Sequence, residues 1–382
     1  MGTAKSKTKL NFIDLFSGAG GLSCGLELAG MNCVLGVDMD KNAIETFKNN
    51  HHEANTFCGS ITELSAAKIK ELTNKKEIHA VVGGPPCQGF STVGLGNPDD
   101  QRNHLFKEFI RVVKITNPYF VVIENVTGLL AKKNEKTIQS IFKIFSKMGY
   151  TLDVQVMSAE NYGVPERRRR TIILGSRINQ TITFPKTTST IMTVGHALKN
   201  LKGSDGKYLN HDVAAAKIKS ALETERIACI PEGKGIRYEI DEKTYFKKKK
   251  LKLNVNWKEL RENRFRQTKY QRLDRKKPSP TIMTHRHNYF HPTENRYLTQ
   301  REAAALQSFP NDFKFYGPLS AQWRQIGNAV PPLLGKAIGS AIMGMHAEKV
   351  LSKAATVKKL TSKDLVINVR KKAFVYKEIT TS

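Results

Sequence analysis

The chain has 382 residues, with 62 Lys and Arg against 34 Asp and Glu, a formal net charge of +28. The length suits two or three domains, and an apolar content of 40% excludes a wholly disordered chain. The basic excess points to a polyanionic partner, nucleic acid first. No apolar run approaches the roughly 20 residues of a membrane helix. Lys5, Lys7 and Lys9 precede an apolar segment that Asp14 interrupts, unlike a secretory signal. The five cysteines, Cys24, Cys33, Cys58, Cys87 and Cys229, form no CxxC pair. Their odd number argues against a disulfide framework or zinc knuckle and for a reducing compartment.

In chain order, residues 12–16 form a short apolar run that ends in Gly18, Gly20 and Gly21. Residues 22–29 have helical spacing and stop at Gly30, a plausible C-cap. Strands are predicted at 33–37, 54–58, 80–83 and 119–124. Helices are predicted at 43–50, 62–72 with Thr62 as N-cap, 105–115 and 138–148. Residues 154–157 and 171–175 read as further strands. This alternation predicts a parallel sheet covered on both faces. From about Phe184 the pattern breaks. Residues 231–290 carry 18 basic and 7 acidic side chains, net +11, in what reads as a second, irregular domain. Residues 301–309 look helical and stop at Pro310. A turn at 327–332 leads into a helix over 333–346 with small residues at Gly335, Ala337, Gly339 and Ala341. The tail, 347–382, is net +6.

Four motifs carry chemistry. In the first, Asp14-Leu15-Phe16-Ser17-Gly18-Ala19-Gly20-Gly21, a strand enters a glycine turn that opens a helix. Such a turn lets backbone approach a ligand and offers free N–H groups to an anion. Asp38 ends the next strand, where an acid meets ribose hydroxyls in nucleotide-binding folds. A nucleoside cofactor follows, either a dinucleotide or S-adenosylmethionine (AdoMet). A tight turn beside a surface acid would leave the same pattern. The second motif, Gly83-Gly84-Pro85-Pro86-Cys87-Gln88-Gly89-Phe90-Ser91, follows a strand. Two prolines fix the backbone around a thiol that needs basic neighbours to act as a nucleophile near neutral pH. The third, Glu124-Asn125-Val126, puts a carboxylate at a strand tip. The fourth ends in Glu166-Arg167-Arg168-Arg169-Arg170 and runs into a strand, where alternation points Arg168 and Arg170 to one side. A run of arginines is otherwise a solvated basic face.

In this order and spacing the motifs resemble the DNA cytosine-5 methyltransferases, in the compact layout of bacterial modification enzymes. The resemblance also takes in residues 301–310 and Gly327-Asn328-Ala329-Val330, and covers about 10–346. It implies an α/β fold: an AdoMet-dependent methyltransferase Rossmann-like mixed sheet with a smaller, irregular target-recognition domain. The expected division is a catalytic AdoMet-binding domain at 1–185 and target recognition at 186–300. A hinge and C-terminal helix return to the catalytic domain at 301–350, followed by a basic tail at 351–382.

By the same resemblance AdoMet lies over Gly18, Gly20, Gly21 and Leu22, with Phe16 flanking the adenine. Asp38 takes the ribose, Met39 contacts the adenine, and Ser60, Ile61, Pro86, Leu105, Asn328 and Val330 complete the pocket. Cys87 is the nucleophile and Glu124 the acid that holds a proton on ring nitrogen 3. Arg168 binds the base carbonyl, and Arg170 supports the site. The target base must leave the duplex to be reached. Gln88, Ser91 and the loop around 92–104 are then candidates for a mobile lid over it. Arg264, Arg266, Arg272 and Arg286 are candidate DNA contacts, with Asn263, Gln267 and the segment 285–288 also able to reach base edges. His285, His287 and His291 are expected to contact DNA rather than a metal. Double-stranded DNA is the expected partner of a monomer in the bacterial cytoplasm, with a restriction endonuclease encoded separately and no membrane. Two departures stand out: Ser60 where an acid is usual, and Glu166 where Gln is usual. A tRNA cytosine-5 methyltransferase and a non-catalytic DNA-binding relative remain open as alternatives. A nicotinamide oxidoreductase would explain the glycine turn and Asp38 but not Pro85 to Gln88.

Overall fold

The computed structural model describes residues 9–85, 101–179 and 181–351. Its contacts group the chain into two units. The first comprises the chain up to Tyr162, Arg169–Thr188 and the chain from Ala329 onward. The second comprises Gly163–Arg168 and Ser189–Asn328.

The first unit is built on strands β1 (Asn11–Leu15), β2 (Asn32–Asp38), β3 (Asn55–Cys58), β4 (Ala80–Gly83), β5 (Phe120–Asn125), β6 (Thr151–Ser158) and β7 (Arg169–Ser176). They form one seven-stranded sheet in the order β3-β2-β1-β4-β5-β7-β6. The first five pair in parallel, whereas β7 runs antiparallel to both β5 and β6. Strand–helix alternation alone points to a parallel sheet; the antiparallel β7 makes it the mixed sheet that the resemblance implies. Only a 3-10 turn, Ala159–Tyr162, and no α-helix lies between β6 and β7, so β7 returns directly beside its predecessor instead of crossing over.

Strand β1 shows why the sheet needs cover on both faces. Phe12 and Asp14 point one way, Ile13 and Leu15 the other, and all four are buried. Ile13 and Leu15 join a core cluster with α3 (Ala66–Leu72), α4 (Gln101–Thr116) and α5 (Glu135–Lys147). In α5 that stripe is Ile138, Ile141, Phe142 and Phe145, the spacing of one helix face. The helix expected over 62–72 is divided. A 3-10 turn covers Ile61–Glu63, and α3 starts afresh at Ala66 because the Ser65 hydroxyl accepts from Lys68 N at 3.1 Å and caps it. Helix α2 (Lys41–Asn50) is capped in the same way by Asp40, at 2.9 Å from Asn42 N.

Helix α1 (Gly21–Leu28) packs on α11 (Pro332–Leu351) through backbone. A Cβ on Gly25 would lie 2.2 Å from the Pro332 carbonyl oxygen and 2.6 Å from Gly335 Cα. The small residues of the C-terminal helix thus let two helices meet without side chains between them.

The second unit holds α6 (Val194–Ala197), α7 (Ala221–Ala228), α8 (Glu239–Phe246), α9 (Gln300–Leu306) and α10 (Leu319–Asn328). Its strands are short: β8 (Ile236–Tyr238) pairs antiparallel with β9 (Arg264–Lys269), and β10 (Gln271–Arg272) pairs parallel with β11 (Tyr289–Phe290). Ile227, Ile230, Ile236, Phe246, Trp257 and Phe290 form a core cluster of this unit. The unit runs past residue 300, because α9 and α10 are tied into it. Gln307 donates to the Ile326 carbonyl at 2.5 Å, and the Arg301 guanidinium donates to the carbonyls of Asn311 and Phe313. Thr299 and Glu302 form a capping box at the start of α9. Among the described residues, no helix is long and apolar enough to cross a membrane.

Candidate active site

Strand order places the site. From β1 the chain runs to β2 and β3 on one side, while β4 and β5 lie on the other. The loops leaving β1 and β4 therefore diverge, and the crevice between them at the carboxyl ends is where open α/β sheets bind ligands.

The loop after β1 is the glycine turn. Phe16 has φ 61°, Gly18 54° and Gly20 87°. A Cβ on Gly20 would fall 2.2 Å from Nε2 of the buried His51, so glycine is required there on two counts. Gly20 is the N-cap of α1 and supplies no side chain, which leaves first-turn N–H groups for an anionic ligand. Asp38, at the end of β2, accepts from Gly18 N at 2.8 Å and from Asp40 N at 2.9 Å. Its carboxylate is thereby fixed at the mouth of the turn. The neighbouring Met39 is 77% exposed, an apolar face on the same rim. Leu22 and Ile61 are buried, and Phe16 and Leu105 pack partly against the core. The Ser60 hydroxyl caps the 3-10 turn and meets the Thr62 hydroxyl at 2.7 Å. First-turn amides without a side-chain cap, an acid fixed at the end of β2 and an exposed apolar side chain fit the carboxylate, ribose and adenine of AdoMet.

Beneath this turn lies Asp14, fully buried and accepting from the Ser23 hydroxyl at 2.7 Å. Burial pushes its carboxyl up to about 7; the Ser23 bond opposes this and the carboxylates of Asp38, Glu124 and Glu27 add to it. Burial likewise pushes Cys24 up to about 12 and Cys33 well above the usual thiol value. Both are packing residues, as their helix and strand positions imply.

The second half of the site is at the tips of β4, β5 and β7. Glu124 accepts from Arg170 Nε at 2.7 Å, with both side chains about 15% exposed. The antiparallel direction of β7 makes this possible, since it brings that strand's first residues to the carboxyl end of β5. Gly84 leaves β4 directly over this carboxylate: a Cβ there would lie 2.8 Å from Glu124 Oε2. Asn125 donates to the Pro85 carbonyl at 3.0 Å, tying the start of the proline loop to the strand that carries Glu124. Sequence reasoning quotes Gly84 and Asn125 within their motifs but gives neither a role of its own: Gly84 makes room for the Glu124 carboxylate, and the Asn125 amide ties down the proline loop. Pro86, Cys87, Gln88 and Ser91, with the segment 92–100, lie outside the described residues.

The second unit alters two expectations. Arg168 does not share a face with Arg170: it precedes β7, is fully buried, and donates to the carbonyls of Ile282 (3.3 Å) and Gly327 (2.8 Å). Of the two arginines it is Arg170 that meets Glu124. Arg272, expected to contact DNA, is also buried. It donates to the carbonyls of Ile227, Ile230, His291 and Glu294 and to the Asn295 side chain, which commits its fork to holding the fold. Arg266 is exposed; Arg264 pairs with Glu262, and Arg286 donates to the Ala215 carbonyl over the Tyr297 ring. Asn328 is exposed at the end of α10, and Val330 is buried in the first unit. His291 accepts from Glu294 N at 3.1 Å, a local structural bond.

Strand order with an antiparallel β7, and a ligand turn at the switch point, define the AdoMet-dependent methyltransferase class. The fold is similar to that of a prophage-encoded E. coli protein described as a DNA modification methyltransferase, with a TM-score of 0.68 and 27% identity over 89% of this chain and 100% of that one. The chain belongs to the C-5 cytosine-specific DNA methylase family, whose model matches residues 10–344. It is a DNA (cytosine-5) methyltransferase. It is 38% identical over 348 residues to the type II methyltransferase M1.HphI of Haemophilus parahaemolyticus, covering 89% of this chain and 88% of the relative. It is 32% identical over 376 residues to M.DdeI of Desulfomicrobium norvegicum, covering 87% and 88%.

Proposed function

We propose that this chain methylates carbon 5 of a cytosine flipped out of duplex DNA, through a transient bond from Cys87, as the modification enzyme of a restriction–modification system. The observation that supports this best is the Glu124–Arg170 pair at 2.7 Å beside the strand that leads into Cys87. Bound AdoMet supplies the electrophilic methyl group.

The chain's residues account for the rest. Carbon 5 of cytosine is a weak nucleophile, and addition of the Cys87 thiolate at carbon 6 makes the ring enamine-like. Glu124 holds a proton on ring nitrogen 3 as that charge develops, and Arg170 orients Glu124 and faces the base carbonyl. A base then removes the carbon-5 hydrogen and Cys87 leaves. Gly18, Gly20, Gly21 and Leu22 cradle the cofactor's carboxylate end, Asp38 its ribose, and Phe16, Met39, Ser60, Ile61, Pro86, Leu105, Asn328 and Val330 complete the pocket. Gln88 and Ser91 close over the extruded base. Arg264, Arg266 and Arg286 contact DNA from the second unit, while Arg272 holds that unit together. The enzyme acts as a monomer in the bacterial cytoplasm beside a separately encoded endonuclease.

The test is methyl transfer from labelled AdoMet to duplex DNA and to tRNA, with wild type and Cys87→Ser. DNA gains label with wild type alone, and DNA carrying 5-fluorocytosine forms a denaturation-resistant adduct. Label on tRNA only, or full activity in Cys87→Ser, would overturn the reading.

A further inference from the structure

Within the second unit, Glu166 and Arg168 form an ion pair at 3.7 Å, with 0% and 1% of their side chains exposed. Such a pair is costly to desolvate and persists where its geometry is needed. Here it joins three segments. Glu166 Oε1 accepts from Ile282 N at 2.5 Å, and Arg168 donates to the carbonyls of Ile282 and Gly327. The first two segments are also laced by backbone: Ser279 N donates to the Pro165 carbonyl at 2.9 Å, and Arg167 N to the Ser279 carbonyl at 2.8 Å. The third has no slack, because a Cβ on Gly327 would lie 2.5 Å from Met283 C and Thr284 N.

Two of the three segments leave this unit within a residue or two. Arg168 is followed at once by Arg169 and Arg170 in β7, and Gly327 by Asn328, Ala329 and Val330. We infer that Glu166 and Arg168 are positioning residues for methyl transfer: their pair fixes where the chain departs toward Arg170, the side chain that meets Glu124. The inference rests on the function proposed above. It adds that a buried carboxylate and guanidinium, neither of them touching substrate, set the alignment of the reacting groups.

The experiment compares wild type with Glu166→Gln, Arg168→Lys, Arg168→Met and the double variant Glu166→Gln/Arg168→Met. Thermal unfolding, calorimetric binding of S-adenosylhomocysteine, DNA affinity and single-turnover methylation are measured on each. Each single change that leaves one charge buried alone lowers the unfolding temperature, and the double variant recovers most of it. The double variant nonetheless transfers methyl at least 30-fold more slowly, with ligand and DNA affinities within threefold of wild type. Arg168→Lys, which keeps the charge and one donor, falls between it and wild type. Wild-type rates in a stable double variant would overturn the inference. So would a loss of affinity that matches the loss of rate, since that is the mark of a general structural role. A wild type that fails to methylate DNA would instead overturn the underlying functional reading, and the positioning role with it.

Discussion

Glu124 and Arg170 meet at 2.7 Å in a mostly buried setting, where a lost partner is felt more than at the surface. Arg170→Ala is expected to lower single-turnover methylation by about a hundredfold or more. Cofactor affinity, measured by calorimetry, should change little. Asp14 carries a different prediction. Its carboxyl, pushed up to about 7 in the fold, titrates near its ordinary value when unfolded. Between these values the folded state holds more protons, so stability falls as pH rises from about 4 to about 7. Asp14→Asn keeps an acceptor for the Ser23 hydroxyl and removes the titration. Calorimetry should find it more stable than wild type at pH 8 by a few degrees in Tm, with the difference gone near pH 4. A variant less stable at pH 8 would show instead that the ionised carboxylate supports the fold.

The α1–α11 contact depends on glycine. Gly25→Val would push a branched side chain into the Pro332 carbonyl, already 2.2 Å from an added Cβ. Overpacking of this kind costs about 1–3 kcal/mol or more, and circular dichroism should show a lower Tm. The glycine turn, Asp38, the strand ahead of the prolines and the small-residue stripe of α11 were all legible in the sequence, because each is a local device with its own residue signature. The direction of β7 was not. Nothing in residues 169–176 distinguishes a parallel from an antiparallel strand; the missing crossover helix was the available signal. The separation of Arg168 from Arg170 was hidden for a related reason. Alternation puts both on one face only if the strand already includes Arg168, and it begins at Arg169.

The charge of the whole molecule is uneven, with 18 basic against 7 acidic residues between 231 and 290. Lys247, Lys248 and Lys249 form an exposed 3-10 turn there. Replacing all three with Gln is expected to weaken DNA binding without changing which cytosine is modified. The slope of log affinity against log salt should fall by about 0.9 for each phosphate that is no longer neutralised, as titrations at several salt concentrations would show. Composition indicated such a surface but not its members. Arg272, in the middle of the basic stretch, is an internal strut. Burial of that kind is decided by partners 19 to 45 residues away, beyond the reach of local pattern.

The short excursion of residues 163–168 into the second unit bears on chimeras. The chain enters that unit twice, first for 163–168 and then for 189–328, so it is not one continuous cassette. Transplanting 189–328 alone between relatives would leave behind Pro165, Glu166, Arg167 and Arg168, which bind its residues 279, 281, 282 and 327. A swap of the second unit should therefore carry both pieces, or retain a host hexapeptide matched to the incoming 279–282 segment. Modularity here is that of a two-part insert, and its smaller part is only six residues long.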